Sequence, residues 1–292
     1  MMMIEKVAAQ AAARQGAGKD STIGRMLLEM GKITQEDATR VLALQAEKGL
    51  RFGQAAQQLG LVTEADILQV LSTQFNYQYV QANQSTLDPS LLAALDPFGA
   101  EAEALRALRG QLNTDWFVKN KTLAVLAVDG QASADVVAAN LAVVFAQQGQ
   151  KTLLVDADLR APRQQDLFNV KVKSGLSDAL AGRTHEWGMV QVKPFDTLSL
   201  LCAGPQPPNP HELLGRPTFA ALNDDFARNF DVVLYGAPAF TASSDAYAVA
   251  ALARGVLLVV SRNVARQKDV REVRTRLQRS GVEIVGSILV DF

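Results

Sequence analysis

The chain has 292 residues, of which 48% are hydrophobic and 20% charged, so it can bury a sizeable core and is not an intrinsically disordered protein. At roughly 150 residues per domain, this length predicts two domains. The 29 basic and 30 acidic side chains nearly balance, which argues against binding nucleic acid or an anionic membrane through the whole surface. One cysteine excludes an internal disulfide, and two histidines argue against a histidine-based metal site.

The first 20 residues predict a flexible arm, because they are rich in alanine, glycine and charge without a sustained pattern. They hold no apolar block followed by a cleavage site, which argues against a secretory signal. The apolar runs 136–146 and 256–260 are broken or flanked by Asn140, Arg254 and Arg262, and both fall short of the ~20 residues that cross a bilayer. We therefore expect a cytoplasmic protein without direct membrane insertion.

A repeat with a period of 29 residues occupies residues 21–80 and predicts a small helical domain. The recurring residues are Gly24, Gly31 and Gln45 in the first copy and Gly53, Gly60 and Gln74 in the second. Each copy predicts a short helix, a glycine stop, a Thr-x-x-Asp cap and a longer amphipathic helix.

This repeat resembles the MshEN domain of type II secretion and pilus ATPases, some members of which bind cyclic di-GMP through two tandem motifs five residues apart. The residues that the resemblance would assign to cyclic di-GMP are Ile23, Gly24, Gly31, Gln45, Arg51, Phe52, Gly53, Gly60 and Gln74. The second motif keeps its arginine as Arg51, whereas Thr22 stands at the arginine position of the first. The alternative is a protein-docking domain whose glycines only end helices.

Residues 81–98 predict a linker with a short helical turn, and a charged helix follows at 99–113. Short apolar runs then begin near residues 121, 151, 197, 231, 255 and 283. Helical patterns separate most of them, at 135–148, 212–229, 244–254 and 266–280. This alternation predicts an α/β domain over residues 99–292, with a mostly parallel sheet covered by helices on both faces. Its functional loops should follow the carboxyl ends of the strands.

Residues 99–292 resemble the cytoplasmic kinase domain of bacterial tyrosine kinases, in particular the EpsG subgroup of chain-length determinant kinases. The stretches that carry the resemblance are 153–162 (LLVDADLRAP), 174–183 (SGLSDALAGR), 203–217 (AGPQPPNPHELLGRP) and 103–109 (EALRALR). The resemblance implies a P-loop NTPase-like fold and a partner, the cytoplasmic tail of an inner-membrane chain-length regulator. It assigns Mg²⁺ binding and activation of the tyrosine hydroxyl to Asp156 and Asp158, and ring assembly to Glu103, Arg106 and Arg109.

The chain departs from this family where the nucleotide should bind. The positions of the family's Gly-Glu-Gly-Lys-Ser/Thr loop hold Gln131, Ala132, Ser133, Ala134 and Asp135. The lysine that meets the phosphates is therefore Ala134, and the hydroxyl residue for Mg²⁺ is Asp135. Gly236 occupies the position of the Walker B aspartate, and no tyrosine follows Tyr247. The pattern predicts weakened binding of ATP and Mg²⁺.

Two interpretations follow. The first is a degenerate, non-catalytic kinase relative that regulates exopolysaccharide chain length or export from the inner membrane, through its partner. The second is an active autokinase in which Asp156 and Asp158 hold Mg²⁺ and Lys151 replaces the missing charge. At single residues, Asp156 and Asp158 are alternatively turn formers, Asp135 a cap for a helix beginning there, and 103–109 a solvated helix face.

Overall fold

The computed structural model describes residues 23–64, 66, 67, 70, 78, 80, 85–183 and 188–291. The chain divides into two compact units, residues 1–78 (unit 1) and 79–292 (unit 2). The arm predicted at residues 1–20 lies outside the described residues.

Among the described residues of unit 1, helices lie at residues 23–29, α1 (Gln35–Lys48) and α2 (Phe52–Gln58), and residues 64, 66, 67 and 70 are also helical. The first helix of each repeat copy ends at a glycine with left-handed backbone, Gly31 at φ 67° and Gly60 at φ 68°. In both copies the amide after this glycine donates to the carbonyl five residues earlier, at 2.9 and 3.1 Å. Glycine adopts this conformation without a Cβ penalty, so the predicted stops are confirmed.

Both copies also carry the predicted Thr-x-x-Asp cap. The backbone amides of Thr34 and Thr63 donate to the carboxylates of Asp37 and Asp66 at 3.0 and 2.9 Å. The amides of these aspartates donate back to the threonine hydroxyls at 3.2 Å. Because two backbone donors are satisfied at each helix start, the cap fixes where the second helix of each copy begins.

Unit 2 contains a seven-stranded sheet in the order β3-β4-β2-β5-β1-β6-β7. The strands are β1 (Thr122–Ala127), β2 (Thr152–Asp156), β3 (Val190–Gln191), β4 (Leu198–Leu201), β5 (Val232–Gly236), β6 (Gly255–Ser261) and β7 (Glu283–Val290). All neighbouring strands are parallel except β3 and β4. The central strands are completely buried, which explains their continuous apolar sequences.

Helices cover both faces of the sheet, as the sequence predicts. The helices of unit 2 are α3 (Leu92–Leu95), α4 (Ala100–Asp115), α5 (Gln131–Gln147), α6 (Gln164–Leu167), α7 (Leu176–Leu180), α8 (Pro210–Leu214), α9 (Pro217–Asn229), α10 (Asp245–Ala253) and α11 (Gln267–Arg279). Helices α3–α6 share one core cluster with alternate strand residues, and α7–α11 share the other. No helix in the described part of the chain has the length and apolar character needed to cross a bilayer.

Residues 85–98 pack on the α/β fold, where the sequence predicts a linker. The predicted turn is α3, whose Ala93 and Ala94 are fully buried. Asn140 of α5 accepts the Ala93 amide at 2.8 Å and donates to the Ser90 carbonyl at 2.8 Å. A buried amide side chain thus supplies the hydrogen bonds that this irregular segment lacks.

Candidate functional site

Three carboxylates meet at the carboxyl edge of the sheet, where sequence patterning predicts the functional loops. Asp156 ends β2, Asp158 lies two residues beyond, and Asp135 approaches from α5. Their exposed fractions are 1%, 1% and 2%. Gly236 ends the neighbouring strand β5 and pairs directly with Asp156.

Helix α5 begins earlier than its sequence predicts. Gln131 is its first residue, and Gly130 at φ 63° is the N-cap. Asp135 therefore lies inside the helix, and the prediction that it caps the helix is wrong. Residues 131–133 have helical backbone rather than that of a glycine loop, and the Ala134 side chain is buried at 1% exposure in a core cluster. The segment that would cradle phosphates is one additional helical turn.

The Asp135 carboxyl group is buried and forms no ion pair in the described part of the chain, although the charge of Arg163 is close enough to lower its pKa slightly. Burial, followed by the charges of Asp156 and Asp158, raises the pKa of Asp135 to about 8. Its Oδ2 atom has no hydrogen-bond partner in the described structure. A buried carboxylate in this setting is less costly when protonated, so this side chain is neutral at pH 7.

Asp156 and Asp158 hold the loop after β2. Asp156 Oδ2 accepts the amides of Arg163 and Gln164 at 3.1 and 3.0 Å, at the start of α6. Asp158 Oδ1 accepts the amides of Arg160 and Ala161 at 2.9 Å. Burial raises the pKa of Asp156 to about 7, against the lowering effect of these bonds. Both carboxylates therefore serve as turn and cap acceptors, the alternative that the sequence left open.

Gln164, which no sequence pattern indicates, completes this site. It is fully buried, and its Nε2 donates to the Asp135 carbonyl at 3.1 Å. A Cβ built on Gly236 would lie 3.7 Å from that Nε2 and 3.9 Å from Asp135 Oδ1. The space beside Gly236, at the end of β5, is thus lined by the side-chain amide of Gln164 and the protonated carboxyl group of Asp135. A buried glutamine is visible only once the fold places it.

These residues do not fit a triphosphate with Mg²⁺. A P-loop supplies glycine backbone, an ammonium group and a hydroxyl, whereas this site supplies a helical turn, a buried methyl group and a carboxylate. No group of three or more His, Cys, Asp or Glu side chains in the described part of the chain is arranged to hold a metal ion.

Lys151 does not replace the missing lysine. It precedes β2, and its backbone amide donates to Asp231 at 3.0 Å. Asp156 stands at the other end of this strand, about 16 Å away at 3.3 Å per residue. The predicted compensating role for Lys151 is therefore wrong.

A second polar cluster lies at the same edge, and the sequence did not reveal it. Asp245, 1% exposed, accepts Arg160 Nε at 2.6 Å and lies 2.9 Å from His211 Nδ1. The Arg160 hydrogen bond lowers the pKa of Asp245 against the raising effect of its burial. The cluster ties the loop after β2 to α8 and α10.

The residues assigned to ring assembly make contacts within the chain. Arg106 pairs with Glu103, its Nη2 at 2.7 Å from the carboxylate, and also donates to the Pro97 carbonyl. Arg109 Nη1 donates to the Val144 carbonyl of α5 at 2.6 Å. Within a single copy of the chain, the motif thus holds α4 against Pro97 and α5.

The cyclic di-GMP candidates divide into packed and exposed residues. Gly24 and Gly53 are buried, and a Cβ on them would lie 2.9 Å from the Phe52 ring and 3.1 Å from Ile67. Gly31, Gly60 and Arg51 are exposed, whereas Ile23 and Gln45 are half-buried. Gln74 lies outside the described residues. Close helix packing alone explains the glycines of the first group.

Proteins named as tyrosine kinases are similar to this chain. YwqD of Bacillus subtilis is 30% identical over 208 residues, which cover 70% of this chain and 87% of the relative. Etk of Escherichia coli K12 is 33% identical over 210 residues, covering 72% of this chain but 29% of Etk. A Klebsiella pneumoniae relative named for the cps region is 32% identical over 248 residues, covering 83% of this chain and 34% of the relative. No protein-family model matches.

Solved structures agree with these relatives. The kinase domain of E. coli ETK has a TM-score of 0.66 and 31% identity, covering 73% of this chain and 84% of that domain. The chimerical protein CapA2B2 has a TM-score of 0.65 and 27% identity, covering 78% and 98%. The cell division ATPase MinD of Pyrococcus furiosus shares only the fold, with a TM-score of 0.51 and 24% identity over 58% of this chain and 71% of MinD. The P-loop NTPase-like fold is thus confirmed, and the chain belongs to the bacterial tyrosine-protein kinase family.

Proposed function

We propose that this protein is a non-catalytic member of its family that regulates the length or export of an exopolysaccharide. Its partner would be the cytoplasmic tail of an inner-membrane chain-length regulator. The observation that carries the proposal is Asp135, a buried acid at the position of the Mg²⁺-binding hydroxyl, beside a lysine position occupied by Ala134. The cps-region relative supports the pathway.

The expected loss of nucleotide affinity can be calculated from the missing contact between a lysine and the phosphates. A hydrogen bond to a charged group contributes about 1.5–3 kcal/mol, so losing the lysine weakens nucleotide binding by roughly 10- to 150-fold. Asp135 also replaces the hydroxyl that would bind Mg²⁺ with a buried acid, and the helical turn at 131–133 removes the loop itself. These effects act together, because a P-loop enzyme needs all its parts in place.

The test is an ATP titration of the full chain, with and without Mg²⁺, followed by thermal unfolding. We expect no stabilisation of the wild type. A loop variant should gain binding; it combines Gln131→Gly, Ala132→Glu, Ser133→Gly, Ala134→Lys and Asp135→Thr. Ala134→Lys alone is the matched control and should gain none, because that side chain points into the core. Wild-type stabilisation above ~2.7 kcal/mol at saturating Mg²⁺ and ATP contradicts the proposal.

The retained pair Asp156 and Asp158 is the observation that favours an active autokinase. In that case the wild type would incorporate phosphate on tyrosine from labelled ATP. Asp158→Asn would then abolish incorporation, while Asp115→Asn, an exposed replacement in α4, would not. We expect no tyrosine phosphorylation from either variant or from the wild type.

We infer that unit 1 receives the regulatory signal, with cyclic di-GMP as the ligand. Two copies of one helix geometry and the exposed Arg51 support this assignment. Calorimetry with cyclic di-GMP should give binding that Arg51→Ala weakens at least tenfold. Arg25→Ala, which removes another exposed arginine of the same unit, should leave it unchanged. Binding that survives Arg51→Ala contradicts the motif placement and favours a protein-docking role for unit 1.

We further propose assembly into a homo-oligomeric ring through Glu103, Arg106 and Arg109. Sedimentation of the full chain at micromolar concentration tests it. A mass several times that of one chain, lost in Glu103→Gln, supports the ring. A monomer at these concentrations contradicts it, as expected if these side chains only anchor α4.

A further inference from the structure

Positive charge is concentrated around α11, although the whole chain has a net charge of −1. The segment 262–279 carries seven cationic side chains against two carboxylates, a net charge of +5. The cations are Arg262, Arg266, Lys268, Arg271, Arg274, Arg276 and Arg279, and all seven residues are exposed. The near balance of the overall composition therefore conceals a local patch.

Four of these cations form one stripe along the helix. At 100° per residue, Lys268, Arg271, Arg274 and Arg279 fall within about 140° of the circumference. This basic stripe lies opposite Val273 and Leu277, which are buried in the core. The other helix residues in its sector are Gln267, Thr275 and Gln278, all neutral. The carboxylates of the helix, Asp269 and Glu272, lie toward the flank that carries Arg276.

The charge of the basic stripe is not neutralised within the described part of the chain. None of its four cations belongs to an ion pair there. Two neighbouring cations do have partners: Arg262 pairs with Asp291 at 2.9 Å, and Arg276 stacks on the Tyr247 ring at 3.8 Å. Like charges three residues apart on a helix repel each other, so a nearby anionic surface would relieve this repulsion.

The composition of the stripe indicates what kind of anionic surface it suits. Hot spots of protein interfaces combine arginine with tryptophan or tyrosine in desolvated pockets, and single-stranded nucleic acids stack on aromatic rings; the stripe is exposed and contains no aromatic residue. Lipid headgroups require only clustered lysine and arginine near the surface. The apolar side of α11 already packs against the sheet, so the contact needs no insertion.

We propose that the basic stripe of α11 docks this protein electrostatically on an anionic lipid bilayer. This contact goes beyond the proposed regulatory function, because it requires neither a nucleotide nor a protein partner. It places the carboxyl-terminal part of unit 2 at the membrane surface. The contact is reversible and depends on salt, since exposed charges are screened within about 8 Å at physiological ionic strength.

The test is sedimentation of the full chain with vesicles of 30% phosphatidylglycerol in phosphatidylcholine. Binding should occur at 50 mM salt, disappear at 500 mM salt, and be absent on pure phosphatidylcholine. The double variant Arg271→Gln with Arg274→Gln should bind about 25-fold more weakly. The control Lys171→Gln with Lys173→Gln removes two exposed cations elsewhere and should bind like the wild type. Circular dichroism checks that both variants are folded.

Three results would overturn the proposal: no binding of the wild type to anionic vesicles, equal loss in the stripe and control variants, or binding that persists at high salt. Duplex DNA and a polyglutamate peptide serve as competitors at matched charge concentration. One outcome is that a competitor displaces the wild type from vesicles, and that the stripe variant loses affinity for that competitor but not for lipid. In that case the stripe binds that polymer instead of lipid.

Discussion

Single residues determine the character of the candidate site more than the fold does. Asp135 is a carboxylic acid where related loops place a hydroxyl, and its burial beside Asp156 and Asp158 outweighs the charge of Arg163. An acid that folds into such surroundings takes up a proton. The residue-scale consequence is a pH dependence of stability that can be measured without any ligand.

We predict that Asp135→Asn stabilises unit 2 at alkaline pH. The pKa of Asp135 is about 8 in the folded chain, against 3.8 for an ordinary aspartate. Between these values the folded chain holds a proton that the unfolded chain releases, so stability falls as pH rises, by up to about 1.4 kcal/mol per pH unit. Asparagine has the same shape and no such proton.

Urea denaturation at pH 4, 6 and 8.5 measures this effect. The variant should gain several kcal/mol over the wild type at pH 8.5 and nothing at pH 4. Asp115→Asn, which changes an exposed acid, should leave the pH slope as it is. Equal slopes in wild type and Asp135→Asn would show that the carboxyl group ionises normally.

At the scale of elements, close packing explains features that resemble ligand motifs. In unit 1 the first helix approaches α2 so closely that only glycine fits at Gly24, opposite the buried Phe52 ring. In unit 2 Asn140 ties α3 and the preceding segment to α5. Gly24 lets two helices pack closely because it has no side chain, whereas Asn140 joins two elements through the hydrogen bonds of its side chain.

Gly24→Ala should destabilise unit 1 by about 1–3 kcal/mol, because the new methyl group would lie 2.9 Å from a ring carbon of Phe52. Gly110→Ala in α4 is the matched control: its Cβ meets nothing within 4 Å, and it should stabilise by about 0.5–1 kcal/mol. Urea titration followed at 222 nm reports both. A neutral Gly24→Ala would mean that the ring shifts freely.

Asn140→Ala should cost about 2–4 kcal/mol, since it leaves the buried Ala93 amide and Ser90 carbonyl without partners. Asn113→Ala removes partly exposed contacts with Gln148 and Gln150, at 3.2–3.3 Å, and should cost under about 0.5 kcal/mol. Fluorescence of Trp116, which is buried beside β1, follows unfolding of unit 2 in both variants. A small loss in Asn140→Ala would mean that residues 85–98 contribute little to the fold.

In the whole molecule, each unit contains buried or hydrogen-bonded acids whose pKa values are shifted, and the largest shifts in the two units have opposite signs. In unit 1, a hydrogen bond from Lys32, 2.7 Å away, and the Thr63 cap lower the pKa of Asp66 to about 2. That contribution is complete above pH 4 and is lost as pH falls toward 2. In unit 2, burial raises the pKa values of Asp135 and Asp156, so their effect is to reduce stability as pH rises from 4 to 8.

We therefore predict that unit 1 is the weaker unit under acid and that unit 2 loses stability toward alkaline pH. Both tryptophans of the chain, Trp116 and Trp187, belong to unit 2, so fluorescence reports that unit alone, whereas circular dichroism reports both. The two urea transitions should separate at pH 3, with the fluorescence transition at higher urea. Asp66→Asn should reduce the acid sensitivity of unit 1, and the remainder belongs to Asp37, whose pKa the Thr34 cap also lowers. If the fluorescence and circular dichroism transitions coincide at every pH, the stabilities of the two units do not depend on pH in opposite ways, and the prediction is wrong.

The sequence predicts most of this architecture because its signals are local. Continuous apolar runs mark the buried strands, and glycine stops with Thr-x-x-Asp caps mark the repeat. Sequence patterning does not predict the start of α5, because Gly130 provides no side-chain cap. It does not predict β3 either, because a strand of two residues shows no periodicity. Gln164 and Asp245 join their clusters across 29 and 85 residues of chain, distances that no local pattern spans.

The early start of α5 makes the present loop hard to reverse by gradual mutation. A single lysine at position 134 would bury an ammonium group among packed methyl groups. A single glycine at position 131 or 133 would destabilise the first turn of α5. Each of these single changes at positions 131, 133 and 134 thus passes through a less stable polypeptide. Selection for folding alone therefore opposes all three, whatever the cellular task of the protein.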